Sequence, residues 1–146
     1  MRQGGENGAS GVITLGFRFW NRGTIPCTLA GAPGVALLDS DGDAVLAIRP
    51  VADLAGLRFV DGRSAQRVVL IPGLPEPADR GNLPPGYATV IVWYPSRGPN
   101  AGGEPCRPPQ PIPVRLRFTL PQRGETIDCD RSPLPCDHWI QADPFQ

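Results

Sequence analysis

The sequence predicts an all-β fold, an immunoglobulin-like antiparallel β-sandwich of about eight short strands held by disulfides. Three observations predict it. Apolar residues recur at every second position in several stretches, the period of a half-buried strand. Glycine (18) and proline (19) separate those stretches and leave little room for a long helix. Four cysteines, an even number, fit two disulfides in an oxidising compartment. A chain of 146 residues has the size of one domain with a real core.

Taken in order, residues 1–10 read as a flexible N-terminal arm, and residues 11–146 as a single sandwich domain. In 11–21, Ile13, Leu15, Phe17 and Phe19 share one face, while Thr14, Gly16, Arg18 and Trp20 share the other. The stretch 34–48 reads as two short strands around a turn, and 65–73 as a strand ended by Pro72-Gly73. A helical turn over 51–56 carries little weight. The most apolar run, 86–95, reads as a central strand with Trp93 in the core. A proline-rich loop over 98–111 follows. In 112–121, Val114, Leu116, Phe118 and Leu120 are expected to face in, and Arg115, Arg117 and Thr119 out. Residues 123–125 form a hairpin turn into 126–130, and 139–145 supplies a last strand.

Three aspartates at alternate positions, Asp39, Asp41 and Asp43, raise the question of calcium. An EF-hand loop needs glycine at position 6 and a bidentate glutamate at position 12. Ala44 and Pro50 stand there instead, and Gly42 comes two residues early. The segment is expected to be a hairpin turn, where Asp and Gly accept the required backbone angles. No metal or cofactor is expected.

Residues 21–43 resemble a family of secreted proteins and lipoproteins from high-GC bacteria, the domain of unknown function numbered four-two-three-two. Asn21, Gly23, Pro26, Cys27, Leu29, Gly31, Pro33, Val35, Leu37 and Gly42 carry the pattern. Asp39 lies one residue beyond the family's usual aspartate. The run from Val90 to Ser96, a cysteine loop and the strand ending Leu120-Pro121 are also similar to the family's second half. The loop between Trp93 and Cys106 is longer here, and Cys136 is additional. The resemblance implies a β-sandwich outside the cytoplasm and brings no activity.

Four cysteines allow three pairings. Cys106 precedes the strand 112–121 and Cys129 closes the strand after its hairpin, so Cys106–Cys129 is the natural bridge. Both positions also match the family's second cysteine pair. Cys27–Cys136 remains, and the fold is then expected to depend on oxidation.

Function is less legible. Charge is balanced at 14 basic and 14 acidic residues, against nucleic-acid binding. No apolar run has the length of a membrane span, and no signal peptide is present in this chain. His138 is the single histidine, no nucleophile elbow exists, and no phosphate-loop motif occurs, so the chain is not expected to be an enzyme. Candidate ligand-binding residues are Trp20, Trp139, Arg18, Arg115 and Arg117. Exposed aromatic rings stack on sugars or fill partner pockets. Trp20 is expected to be partly exposed. The three arginines form a basic stripe for an acidic polysaccharide or anionic partner if their strands are neighbours. Otherwise they are a solvated face paired with acids across the strand. The expectation is a non-catalytic module for binding, spacing or assembly, outside the cell or at the envelope, with a protein or glycan partner. The alternatives are a carbohydrate-binding module, and a structural subunit of an extracellular assembly that uses residues 1–10 as an inter-subunit strand.

Overall fold

The computed structural model describes residues 1–9, 12–48, 67–78, 82–95, 107–121, 124–130, 133, 135 and 140–146. The helical turn expected at 51–56 lies outside them, as do Cys106, Cys136, His138 and Trp139. The described residues form ten strands and no helix. These are β1 (Arg2–Ala9), β2 (Val12–Phe19), β3 (Cys27–Leu29), β4 (Gly34–Leu38), β5 (Ala44–Ile48), β6 (Val68–Leu70), β7 (Ala88–Pro95), β8 (Arg115–Thr119), β9 (Thr126–Cys129) and β10 (Gln141–Ala142).

Two four-stranded antiparallel sheets carry the fold, in the orders β1-β2-β7-β10 and β5-β4-β8-β9, beside a small β3-β6 sheet. Their inner faces meet in one core. Leu15, Phe17, Phe19, Val90, Val92 and Tyr94 of the first sheet pack with Val35, Leu37, Leu116 and Phe118 of the second. Phe118 lies edge-on to Phe17 and Phe19, with ring centroids 4.9 and 5.5 Å apart. Edge-to-face pairs add about 0.5–1.5 kcal/mol each beyond the area they bury. Phe145 closes the core edge-on to Phe19 at 5.4 Å.

Residues 1–10, expected as a free arm, are spent largely on β1. Val12–Phe19 has an edge whose backbone groups need partners, and Arg2–Ala9 supplies them. The register shifts between Gln3 and Glu6, where Gly4 and Gly5 take up the irregularity.

The pattern Asn21-x-Gly23 has a structural explanation. Asn21 Nδ2 donates to Ile25 O at 2.7 Å and Leu70 O at 3.3 Å, and its Oδ1 accepts from Gly23 N at 2.8 Å. A Cβ at Gly23 would stand 3.1 Å from that oxygen. This knot steers the chain into β3.

Candidate functional site

The aspartate segment is a turn. Asp39 Oδ1 accepts from Asp41 N at 3.0 Å and Asp43 N at 2.9 Å, so this oxygen already serves the backbone. Asp39 N donates to Asp43 O at 3.0 Å, and Gly42 supplies φ of 90°. The carboxylate thus closes the β4–β5 hairpin. No group of three metal-ligating side chains occurs among the described residues.

The basic stripe is not formed, because its strands are not neighbours. Arg18 stands on β2 and faces outward, since Phe17 and Phe19 on either side of it face in. Arg115 and Arg117 stand on β8, which belongs to the other sheet, and also face outward. The two sheets meet through their inner faces, so Arg18 lies on the opposite side of the molecule from the other two.

Arg115 and Arg117 engage acids locally. Arg117 reaches Asp128 on β9 through Nε and Nη2 at 2.7 and 2.8 Å, across the register pair that these two residues form. Arg115 Nε stands 3.8 Å from Asp130. Hydrogen bonding from Arg117 holds the Asp128 carboxyl below the usual aspartate range. A fork on a carboxylate is the strong form of such a pair, but here both partners face solvent, which screens it.

The aromatic candidates also take definite places. Trp20 is half-buried, and the Arg22 guanidinium lies over its ring, 5.1 Å from the centroid. Arg22 also stands 3.9 Å from Glu76. One face of Trp20 is thereby covered. Trp93 departs from expectation. It shares the outer face with Thr89 and Ile91, half-buried, while Val90, Val92 and Tyr94 enter the core. Its register partners are Thr14 on β2 and Gln141 on β10. The run 86–95 is apolar on both faces, so composition alone does not tell which alternate set points inward.

Cys27 and Cys129 are free thiols, both half-buried against the core, so neither expected bridge is present in the structure. Each already packs as a small apolar group, a common role for a buried cysteine. Val114 is a smaller correction. It is 47% exposed, because it lies just before the first residue of β8, with its amide bonded to Leu38 O at 2.8 Å.

The outer face of β2 and β7 holds a groove that the sequence did not announce. Its volume is about 510 Å³. Arg18, Thr89 and Gln146 lie on one side, and the segment 82–87, with Asn82, Pro84, Pro85 and Tyr87, on the other. Arg18 and Thr89 are register partners across β2 and β7. Residue 146 lies along β7, donating to Thr89 O at 3.1 Å and accepting from Thr89 N at 2.7 Å. The far wall is held firmly. The Tyr87 hydroxyl donates to Pro75 O at 2.9 Å, and Ile71 N donates to Gly86 O at 3.2 Å. Gly86 has φ of 101°, and a Cβ there would lie 2.6 Å from Leu74 Cδ1 and 3.0 Å from Ile71 Cβ. Among the described residues that line the groove, Arg18 carries the only charged side chain. Of the four sequence candidates for ligand binding that are among the described residues, Arg18 alone lines this groove. Asn82, Pro84, Pro85 and Tyr87 come from turn-like sequence, which carries no signal until the strands are paired. Pro84-Pro85-Gly86 marks a turn and nothing more.

The model of a family described as a domain of unknown function, DUF4232, matches residues 2–146. No curated protein and no solved structure shows a significant match to the chain.

Proposed function

We propose, from the premise that the chain belongs to this family, that the domain is a non-catalytic binding module that works outside the cytoplasm, at the cell envelope or beyond it. The observation that carries this reading is the groove on the outer face of β2 and β7. Its volume of about 510 Å³ falls in the range of ligand pockets, about 300–1,000 Å³. It is built on two paired strands and a pinned wall, which keeps its shape before any ligand arrives. Elsewhere, Asp39 closes a hairpin, Asp128 holds Arg117, and Glu76 stands by Arg22. We read the two-sheet core as an immunoglobulin-like variant. The supports are its antiparallel sheets, its hairpins and its single inter-sheet core.

Amide-resolved NMR titration of the labelled domain tests the reading, with a panel of oligosaccharides, short peptides and small acids. At least one probe should shift the amides of Arg18, Thr89 and Gln146 together. Binding only at other surfaces, or turnover of a probe, would sink it. For the compartment, a reporter active only outside the cytoplasm, fused to the genomic gene product, should give signal in the parent bacterium.

A further inference from the structure

We propose that the outer face of the small β3-β6 sheet docks on an anionic lipid surface, with Ile25, Val69 and Ile71 entering the acyl boundary and Arg22 and Arg67 meeting headgroups at the rim. These residues are not among the described groove lining, so the proposal is independent of the groove. The two faces of this sheet differ. On the inner face, Cys27, Leu29, Val68 and Leu70 pack on the core. On the outer face, alternation brings out Val69 and Ile71, which are 49% and 44% exposed. Arg67, two residues before Val69, is exposed as well. The inner face already supplies the packing of the sheet, and the outer aliphatic chains are not needed for it.

Ile25 extends the patch. It is 76% exposed, the most exposed of the large apolar side chains described. Asn21 Nδ2 donates to both Ile25 O and Leu70 O, which fixes the backbone of Ile25 beside β6 and leaves its side chain to solvent. Pro26 beside it is also exposed. An exposed aliphatic patch marks a protein or a membrane contact. Composition and charge favour the membrane. The centre is made of branched aliphatic chains, not of the Trp and Tyr anchors common at protein interfaces. The flanking Arg22 and Arg67 are exposed cations, and Glu76 beside Arg22 offsets only part of their charge. An aliphatic centre with a cationic rim matches acyl chains beneath anionic headgroups, where binding grows with apolar area buried and with charge attraction.

The probe is a vesicle of phosphatidylglycerol and phosphatidylcholine in equal parts, with phosphatidylcholine alone as the other arm, each sedimented with the intact chain. The chain should sediment with the anionic vesicles, less with the neutral ones, and less in high salt. Spin-labelled lipid should broaden the amides of Ile25, Val69 and Ile71 and spare that of Asp128. Ile25→Ser, a change at an exposed side chain, should weaken binding roughly tenfold, the order expected for one large aliphatic side chain taken out of water. Arg67→Gln should weaken binding about fivefold on anionic vesicles and leave neutral ones unchanged. Unchanged binding in Ile25→Ser, or broadening centred on other residues, overturns the proposal. Equal affinity for the two vesicles overturns the anionic surface. Failure to sediment with either vesicle overturns the lipid partner; self-association that Ile25→Ser then abolishes in ultracentrifugation would make the patch a contact between copies instead.

Discussion

On β8 the outward arginines meet acids on and just after β9; on β2 and β7 the outward face stands beside residues 82–87 and 140–146. Arg117 reaches across to Asp128, and Arg115 to Asp130, with the Asp130 side chain 99% exposed. Thr14, Arg18, Thr89, Ile91 and Trp93 are half-buried, as are Arg115, Arg117 and Thr119 on β8, but the first face is also joined by Gln141 and Asp143, 6% and 3% exposed. In sequence, β2 and β8 look alike: aromatic or aliphatic residues alternate with polar ones, an arginine among them. The difference teaches that alternation identifies the side of a strand that enters the core. It says nothing about what the other side will meet. One outer face became a ladder of ion pairs, and the other acquired a wall and a groove.

The largest effect should come from beneath both faces. Phe118→Ala removes the ring that contacts Phe17 and Phe19 across the core, and should cost about 3–5 kcal/mol by urea unfolding. Against a typical stability of about 5–15 kcal/mol, this would leave little reserve. Both faces should melt together; a groove that stays ordered while the β8–β9 face unfolds would break the single-core account.

Next comes a change confined to the covered face. Gly86→Ala puts a Cβ where φ is 101° and Leu74 and Ile71 crowd the site. Strain and overpacking together predict a loss of about 2–4 kcal/mol. NMR shifts should concentrate in the groove wall and leave the Asp128 carboxyl unmoved. A mild effect spread evenly over both sheets would mean that the wall is not pinned as described.

Asp39→Ala tests the end of the exposed sheet. It takes away an oxygen that accepts two backbone N–H groups in the β4–β5 turn. The two donors can turn to water, so the loss should be about 1–2 kcal/mol in the same unfolding assay. Calcium should not restore the difference between wild type and variant; a calcium-dependent rise in the wild-type melting temperature alone would reopen the question of a metal.

The smallest effect belongs to the ion pair. Asp128 has its folded-state pKa lowered by Arg117. Its contribution to stability is therefore present above the unfolded aspartate pKa and is lost as pH falls through the lower folded value. Carboxyl-carbon NMR should show Asp128 titrating below an ordinary aspartate, and Arg117→Gln should return it toward the usual range. A midpoint that does not move would mean that solvent already screens the pair completely.

The strands that became β2, β4, β5, β7, β8 and β9 were legible because alternation and turn residues agree there. The all-β class followed from them. β1 was not legible. A glycine-rich polar segment has no period to read, and its place depends on a partner edge that the sequence does not display. β6 falls inside the stretch 65–73, which reads as a strand, whereas β3, of three residues, is too short for a periodic signal. The groove was half legible. The outward position of Arg18 follows from its neighbours, but its approach to residues 82–87 and 146 follows only from pairing across β2 and β7. Cysteine number suggested bridges, yet number carries no geometry, and Cys27 and Cys129 are free thiols.

Residues 140–146 hold one more consequence, and it concerns time. Ile140 and Phe145 are 1% and 0% exposed, Phe145 N bonds to Gly31 O at 2.9 Å, and residue 146 pairs with Thr89. The core between the two sheets is therefore unfinished until residue 146 has left the ribosome. Up to that moment Phe19 lacks one of its two ring neighbours, and β7 has an uncovered edge. Contacts so distant along the chain also slow folding once synthesis is complete.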